Sequence, residues 1–151
     1  MVEASDLYQE VILDHTKSPR NFERMEDPDR KADGDNPLCG DELTVYLDIE
    51  DGKVEEVTFE GEGCAISKAS GSVMTEAVEG QDLEEVQRLV DVFQKLVTGD
   101  EEVNEMDAAE LGDLAVFTGV QRFPTRVKCA TLSWHTLKAA LEGREEPVST
   151  E

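Results

Sequence analysis

Basic residues are scarce in this sequence: 14 lysines and arginines stand against 36 aspartates and glutamates in 151 residues, a formal net charge of −22. A surface of that sign repels nucleic-acid phosphates and anionic membrane surfaces, so we expect neither as a partner. The acids are spread along the chain rather than gathered in one tail. We therefore expect a solvated surface adapted to high intracellular salt, as in a halophilic protein.

Long apolar runs and paired cysteines are also absent. No stretch approaches the roughly 18 consecutive apolar residues that a membrane helix needs. The N-terminal segment lacks the basic start and the continuous apolar run of a signal peptide. The cysteines at positions 39, 64 and 129 are odd in number and form no C-x-x-C pair. We expect a cytoplasmic protein whose thiols are reduced.

Aromatic residues make up only 5% of the chain, so the core must be mostly aliphatic. A chain of 151 residues fits a single domain, which we place at residues 1–151, and it is long enough to bury a substantial core. The bulky core residues are predicted to be Phe59, Phe93, Phe117, Phe123 and Trp134.

Hydrophobic periodicity predicts the first elements. Apolar residues at i, i+3, i+4 and i+7 predict an amphipathic helix that begins near Ser5, packs His15 on its apolar face and ends before Pro19. The polar segment that follows, residues 20–37, is predicted to be a loop. Alternating apolar and polar residues over 42–60 predict an antiparallel hairpin with its turn at Asp-Gly.

The second half of the chain is predicted to be helical. A 3.6-residue period begins just beyond Cys64 and ends near Gly80, and a second apolar stripe covers residues 83–97. A final helix is predicted from about Pro124 to Gly143, leaving a short polar tail. This order predicts an α+β domain with helices packed on one face of a small antiparallel β-sheet.

Three cysteines and one aspartate are the candidates for chemistry. Lone cysteines at such spacing are more often small buried hydrophobes than ligands. Cys39 and Asp41, however, flank Gly40 at the start of a predicted strand, where side chains two apart share a face. Cys64 precedes a helix whose positive end favours a thiolate, and Cys129 lies in the first turns of the last helix.

Thiolates combined with one carboxylate suit Zn²⁺, which accepts sulfur and oxygen ligands tetrahedrally. The histidines are left out, because His15 is predicted to be packed and His135 points about 120° away from Cys129 around the helix. The predicted ligands of one zinc-type site are Cys39, Asp41, Cys64 and Cys129.

Four segments resemble the signature blocks of the SufU/IscU family of iron-sulfur cluster assembly proteins. They are ILDHTKSPRNF (12–22), GDNPLCGD (34–41), GEGCAISKASGSVMTEAVEG (61–80) and RVKCATLSWHTL (126–137). Their order along nearly the whole chain makes the resemblance specific. It implies the SufU/IscU-like fold for the domain.

Within that family the chain resembles the SufU type more than the IscU type. IscU-type members carry histidine immediately before the last cysteine, where this chain has Lys128. They also carry an LPPVK-like chaperone-docking segment, where this chain has FPTRV (123–127). The helix at residues 83–97 corresponds to the insertion of SufU-type members between the second and third cysteines.

The resemblance implies a zinc-dependent sulfur acceptor, or sulfurtransferase, for a SufS-type PLP-dependent cysteine desulfurase. It implies that Cys39, Asp41, Cys64 and Cys129 bind Zn²⁺ and that Cys39 is the catalytic residue that accepts persulfide sulfur. A histidine of the desulfurase is implied to replace Cys39 on the metal, and a downstream Suf scaffold or sulfur carrier to receive the sulfur.

Two alternatives remain open from the sequence. One is an IscU-type scaffold that accepts iron and assembles a [2Fe-2S] cluster on the same ligands. The other is a purely structural zinc domain that acts as a binding module, which a large aliphatic core makes less necessary.

Overall fold

Four α-helices and four β-strands form the part of the chain that the structure describes. The computed structural model of the protein describes residues 4–36, 40–98, 117, 124–143 and 148–149. In chain order the elements are α1 (Ala4–Lys17), β1 (Arg30–Asn36), β2 (Asp41–Glu50), β3 (Lys53–Glu62), α2 (Ala65–Val78), α3 (Leu83–Thr98), α4 (Pro124–Glu142) and β4 (Val148–Ser149). The predicted α+β class is confirmed.

The strands form one sheet in the order β3-β2-β1-β4. Strands β1, β2 and β3 are antiparallel neighbours, and β4 pairs in parallel with β1 through Gly34 and Val148. The predicted hairpin is confirmed as β2 and β3. Asp51 and Gly52 join them with φ angles of 53° and 75°, the left-handed pair that matches the twist of two antiparallel strands.

The prediction of a loop over residues 20–37 is wrong for residues 30–36, which form β1. The inward-facing residues of this strand are Ala32, Gly34 and Asn36. Because they are small or polar, their alternation gives no hydrophobic signal. The predicted polar tail likewise contains β4, whose two residues are too few to show a period.

The helices pack in layers on one face of the sheet. Helix α4 lies against β1 and β2, α2 lies against β3, α3 contacts α4, and α1 contacts α2. The helix boundaries agree with the prediction, since α1 ends before Pro19, α2 begins after Cys64 and α4 ends before Gly143. Within the described ranges, no helix combines the length and the apolar character needed to cross a membrane.

The core between helices and sheet is mainly aliphatic, with one aromatic cluster. Phe93 stacks on Trp134 with ring centroids 4.6 Å apart, and Phe117 meets Phe93 edge to face at 5.5 Å. Phe59 is also fully buried, so four of the predicted bulky core residues are confirmed. Phe123 lies outside the described residues. The sheet contributes the buried aliphatic residues Leu43, Val45, Leu47, Val54 and Val57.

Helix α1 is tied to α2 by buried polar contacts. His15 is 2% exposed, and its Nδ1 lies 2.7 Å from Ser72 Oγ on α2. The backbone N–H of Arg20 donates to the same hydroxyl at 2.8 Å. The predicted packed role of His15 is confirmed.

Replacing Gly34 with alanine should destabilise the protein by about 1–3 kcal/mol, because overpacking a tight contact strains its neighbours. The new Cβ would lie 2.0 Å from Thr136 Oγ1 on α4. The substitution Thr136→Ala removes that oxygen and should recover part of the loss. Urea unfolding of both single variants and the double variant measures the coupling. If the losses in free energy of unfolding of the two single variants simply add up in the double variant, β1 and α4 do not approach closely at this point.

Tyr46 of β2 is buried on the sheet face opposite Val45, because successive side chains of a strand point to opposite faces. Its hydroxyl donates to the carboxylate of Glu60, and Lys31 Nζ lies 5.9 Å from its ring centroid. Burial, and then the neighbouring Glu60 carboxylate, raise the pKa of Tyr46 from 10.0 to about 12. The neutral phenol is therefore the form that the fold stabilises.

The free energy of unfolding should fall as the pH rises from about 10 to about 12. In this range the unfolded chain has lost the phenol proton of Tyr46 while the folded protein retains it. The stabilisation is complete only below the unfolded pKa. Urea unfolding along a pH series tests this, with Tyr46→Phe as the control that lacks the titrating group. A difference between the two proteins that does not vary with pH would refute it.

Candidate metal centre

Three chemically reactive side chains from three separate elements converge at one end of the sheet. Asp41 is the first residue of β2, Cys64 immediately precedes α2, and Cys129 lies in the second turn of α4. One carboxylate oxygen and the two Sγ atoms all lie within 4.8 Å of one another. The structure thus brings together three of the four predicted ligands. The fourth, Cys39, lies outside the described residues.

The Asp41 carboxylate is fully buried and is held at both oxygens. Its Oδ1 accepts the backbone N–H of Cys64 at 2.8 Å, and its Oδ2 accepts the hydroxyl of Ser67 at 2.8 Å. A buried carboxylate without such donors would cost several kcal/mol, and hydrogen bonds to a charged acceptor are the strong ones. These two bonds fix the orientation of Asp41.

Cys64 is the N-cap of α2. Its φ and ψ of −71° and 167° are extended, and its carbonyl accepts the first helical N–H from Lys68 at 3.1 Å. A helix N-terminus favours a nearby negative charge, but the first turn of α2 contains no acidic residue. Asp41, at the start of β2, supplies that charge instead. The half-buried Cys64 Sγ lies 3.7 Å from Asp41 Oδ2.

Cys129 reaches the site from α4 and is fully buried. Its backbone carbonyl lies 3.1 Å from the Ser67 hydroxyl, which therefore contacts both Asp41 and the Cys129 residue. Ser67 is not among the site residues predicted from the sequence. The available signal was its position three residues after Cys64, which places the two residues on the same side of α2.

Gly63 leaves the space that the Asp41 carboxylate occupies. A Cβ at this position would lie 2.7 Å from Asp41 Oδ1 and 3.1 Å from its Cγ. Gly40, beside Asp41 in sequence, has φ of +72°, a left-handed conformation that favours glycine. Gly63 therefore has a steric role in the site, and Gly40 a conformational one.

The donor set fits a thiophilic metal ion. Tetrahedral Zn²⁺ with ordinary bond lengths separates a sulfur and an oxygen ligand by about 3.6 Å. The observed separation between Cys64 Sγ and Asp41 Oδ2 is 3.7 Å. Thiolates suit zinc or iron, whereas Mg²⁺ and Ca²⁺ prefer oxygen ligands alone. The chemistry of Asp41, Cys64 and Cys129, and the spacing of the first two, thus fit a zinc ion.

Neither histidine belongs to this cluster among the described residues. His15 is packed between α1 and α2, as predicted. His135 is partly buried in α4; burial, and then the positive charge of Lys138, lower its pKa. Leaving both histidines out of the predicted ligand set agrees with these positions.

An open groove of about 720 Å³ is lined by residues of β1, β2 and β3 and by Phe22, and none of the three clustered residues lines it. No basic residue is among the residues that line it. A groove of this charge favours the approach of cationic groups. Its carboxylates are Asp33, Asp35, Glu42, Glu60 and Glu62.

The fold and the cluster together define a small α+β domain that gathers two thiols and a carboxylate from distant parts of the chain. Residues 7–130 match the sequence model of the NifU-like N terminal domain. This chain belongs to that family.

Curated relatives cover almost the whole chain. The zinc-dependent sulfurtransferase SufU of Bacillus subtilis is 41% identical over 139 residues, which are 92% of each chain. The iron-sulfur cluster assembly scaffold protein IscU of Streptococcus pyogenes is 39% identical and covers 90% of this chain and 83% of its own. Both kinds of name therefore occur among relatives of similar identity.

Solved structures show the same fold. A putative iron-sulfur cluster assembly scaffold protein for the SUF system from Fervidobacterium islandicum superposes with a TM-score of 0.81. It is 36% identical and covers 89% of this chain and 96% of its own. A nitrogen-fixing NifU-like protein (N-terminal) from Brucella abortus is 26% identical, with a TM-score of 0.80 and coverage of 93% and 96%. The predicted SufU/IscU-like fold is confirmed.

Replacing Gly63 with alanine should weaken Zn²⁺ binding by about 10–100-fold, the usual effect of disturbing the support of a metal ligand. The added Cβ displaces the Asp41 carboxylate. Competition with a chromophoric chelator measures the affinity. Gly52→Ala is the control, because its new Cβ would meet open space at the far end of β2. Alanine is strained at the left-handed φ of this position, which should lower the stability of the protein but leave the metal site unchanged. Equal affinity of Gly63→Ala and wild type would show that Asp41 does not bind the metal.

Proposed function

We propose that this protein is a zinc-dependent sulfur acceptor in iron-sulfur cluster assembly, and that its donor is a SufS-type, PLP-dependent cysteine desulfurase. The observation that supports this most directly is the convergence of Asp41, Cys64 and Cys129 within 4.8 Å. The identity of 41% to a Bacillus subtilis protein named a zinc-dependent sulfurtransferase supports the sulfur-transfer role.

The proposed metal ligands are the three clustered residues together with Cys39. Cys39 precedes Asp41 by two residues, and two residues span at most about 7 Å even when fully extended. Its thiol is thus within reach of the cluster. A bound Zn²⁺ would keep coordinating thiols deprotonated at neutral pH.

Cys39 is the proposed acceptor because the structure shields the other two thiols from solvent. Cys129 is fully buried, and Cys64 is half-buried against Asp41. The Cys39 thiolate attacks the terminal sulfur of the desulfurase persulfide. A new S–S bond forms on Cys39, the old S–S bond breaks, and the desulfurase cysteine leaves as a thiolate, so no net electron is transferred.

The cytoplasm is the proposed location, because acceptor thiols must stay reduced between turnovers. A downstream Suf scaffold or sulfur carrier would then take the sulfur from Cys39 by the same exchange. The acidic groove over the sheet would favour a desulfurase that presents basic groups there. Repulsion of nucleic acids and anionic membranes by the net charge of −22 fits these protein partners.

A second candidate function is assembly of a [2Fe-2S] cluster on the same residues. It is favoured by relatives named IscU scaffolds, at 39% identity in Streptococcus pyogenes and 38% in Thermotoga maritima. Anaerobic reconstitution with iron and sulfide separates the two candidates. A stable coloured protein with equal iron and sulfide would favour the scaffold, whereas retention of one zinc per chain would favour sulfur transfer.

Replacing Cys39 with alanine should abolish the stimulation of a purified cysteine desulfurase, because no acceptor thiolate remains for the persulfide. The measurement is desulfurase turnover on L-cysteine with wild type or variant added, together with mass spectrometry of alkylated protein to locate the persulfide. Gly52→Ala, altered in the hairpin turn at the other end of β2, should stimulate turnover like wild type. Full stimulation by Cys39→Ala, or a persulfide found on another residue, would refute the role of Cys39.

A further inference from the structure

The cluster is built on β2, α2 and α4. Ser67 lies on α2, and among the described residues its hydroxyl is the one that contacts both β2 and α4. It is fully buried, three residues after Cys64, at the start of α2. Its Oγ lies 2.8 Å from Asp41 Oδ2 on β2 and 3.1 Å from the Cys129 carbonyl oxygen on α4. Its hydroxyl therefore lies where β2, α2 and α4 meet.

A serine hydroxyl has a single proton to donate, so the two acceptors compete for it. The carboxylate is the stronger acceptor because of its charge, and the shorter distance is the one to Asp41. When a cation neutralises that charge, the Cys129 carbonyl remains available at 3.1 Å. The buried hydroxyl keeps an acceptor in either state, which avoids the cost of an unsatisfied buried donor.

The bond from Ser67 also sets which way the carboxylate points. The Cys64 N–H holds Oδ1, and Ser67 holds Oδ2, which is the oxygen 3.7 Å from Cys64 Sγ. With one donor on each oxygen, rotation of the carboxylate about its Cβ–Cγ bond is restricted. The oxygen nearest the thiol is therefore placed before any metal binds.

We propose that Ser67 is the positioning residue that aims the Asp41 carboxylate at a thiophilic divalent cation held by Cys64 and Cys129. This inference rests on the proposed metal-binding function of the cluster. It assigns to Ser67 no contact with the metal; the hydroxyl acts through Asp41 alone.

The test compares Ser67→Ala with Ser70→Ala in the full-length protein. Ser70 is equally buried one turn further along α2, and it also donates to a backbone carbonyl of α4, that of Ala130 at 2.5 Å. Each substitution thus removes a buried hydroxyl of α2 that lies within hydrogen-bond distance of a carbonyl of α4, but only the Ser67 hydroxyl also contacts Asp41. Ser70 also accepts the indole N–H of Trp134. Ser70→Ala therefore shows how much a general disturbance of the core changes metal binding.

Zn²⁺ affinity and the absorption spectrum of the Co²⁺-loaded protein are the two measurements. Ser67→Ala should lower Zn²⁺ affinity by about 10–100-fold, the range seen when a support of a metal ligand is removed. Its Co²⁺ ligand-field bands should shift, because a carboxylate without its donor changes its mode of binding. Ser70→Ala should retain the affinity and the spectrum of wild type.

A second pair of variants keeps the test decisive if Ser67→Ala folds poorly. Ser67→Thr and Ser67→Val have the same shape, and only threonine retains the hydroxyl. Threonine should preserve the affinity and the Co²⁺ spectrum better than valine. Equal values for the two, or equal losses in Ser67→Ala and Ser70→Ala, would overturn the role of Ser67 while leaving the proposed function intact. Failure of wild type to bind Zn²⁺ would overturn both.

Discussion

A buried carboxylate at the start of a helix is the interaction on which the site depends. Asp41 is fully buried, and its charge is balanced by the N-terminus of α2 and by two hydrogen bonds, one from Cys64 and one from Ser67. Those bonds join β2 to α2, and Ser67 extends the connection to α4 at Cys129. The anchored carboxylate thus lies between the two elements that carry the thiols.

The scaffold around this carboxylate makes close approach possible. Gly63 leaves room for Asp41, and Gly34 lets β1 approach α4. Helix α2 lies at the centre, in contact with α1, α4 and β3. The core that surrounds it is mainly aliphatic, with Phe93 stacked on Trp134, and includes neither Asp41 nor Cys64. A core of this kind gives the fold little need for a metal, which favours an exchangeable site over a structural one.

Helices and strands with a clear periodic pattern of apolar residues could be predicted from the sequence. Those that depend on pairing or packing with distant segments could not. The hairpin and α3 carry clear apolar patterns, whereas β1 presents Ala32, Gly34 and Asn36 to the core and becomes a strand through its pairing with β2. Spacing could not place Cys64 beside Cys129, since the packing of α2 on α4 decides it; the chemistry of the donor set and the family resemblance supplied that expectation. The one signal for Ser67 was its spacing of three residues from Cys64, and that spacing does not show which acceptors its hydroxyl meets. Adaptation to high salt stays a prediction.

The most direct test of the central claim is anomalous X-ray diffraction from a crystal of the zinc-loaded protein. One zinc per chain is expected, bound by Cys64 Sγ, Cys129 Sγ and one carboxylate oxygen of Asp41 at ordinary zinc bond lengths of about 2.0–2.3 Å. Zinc found only on surface carboxylates or on His15, with those three side chains uncoordinated, would contradict the account.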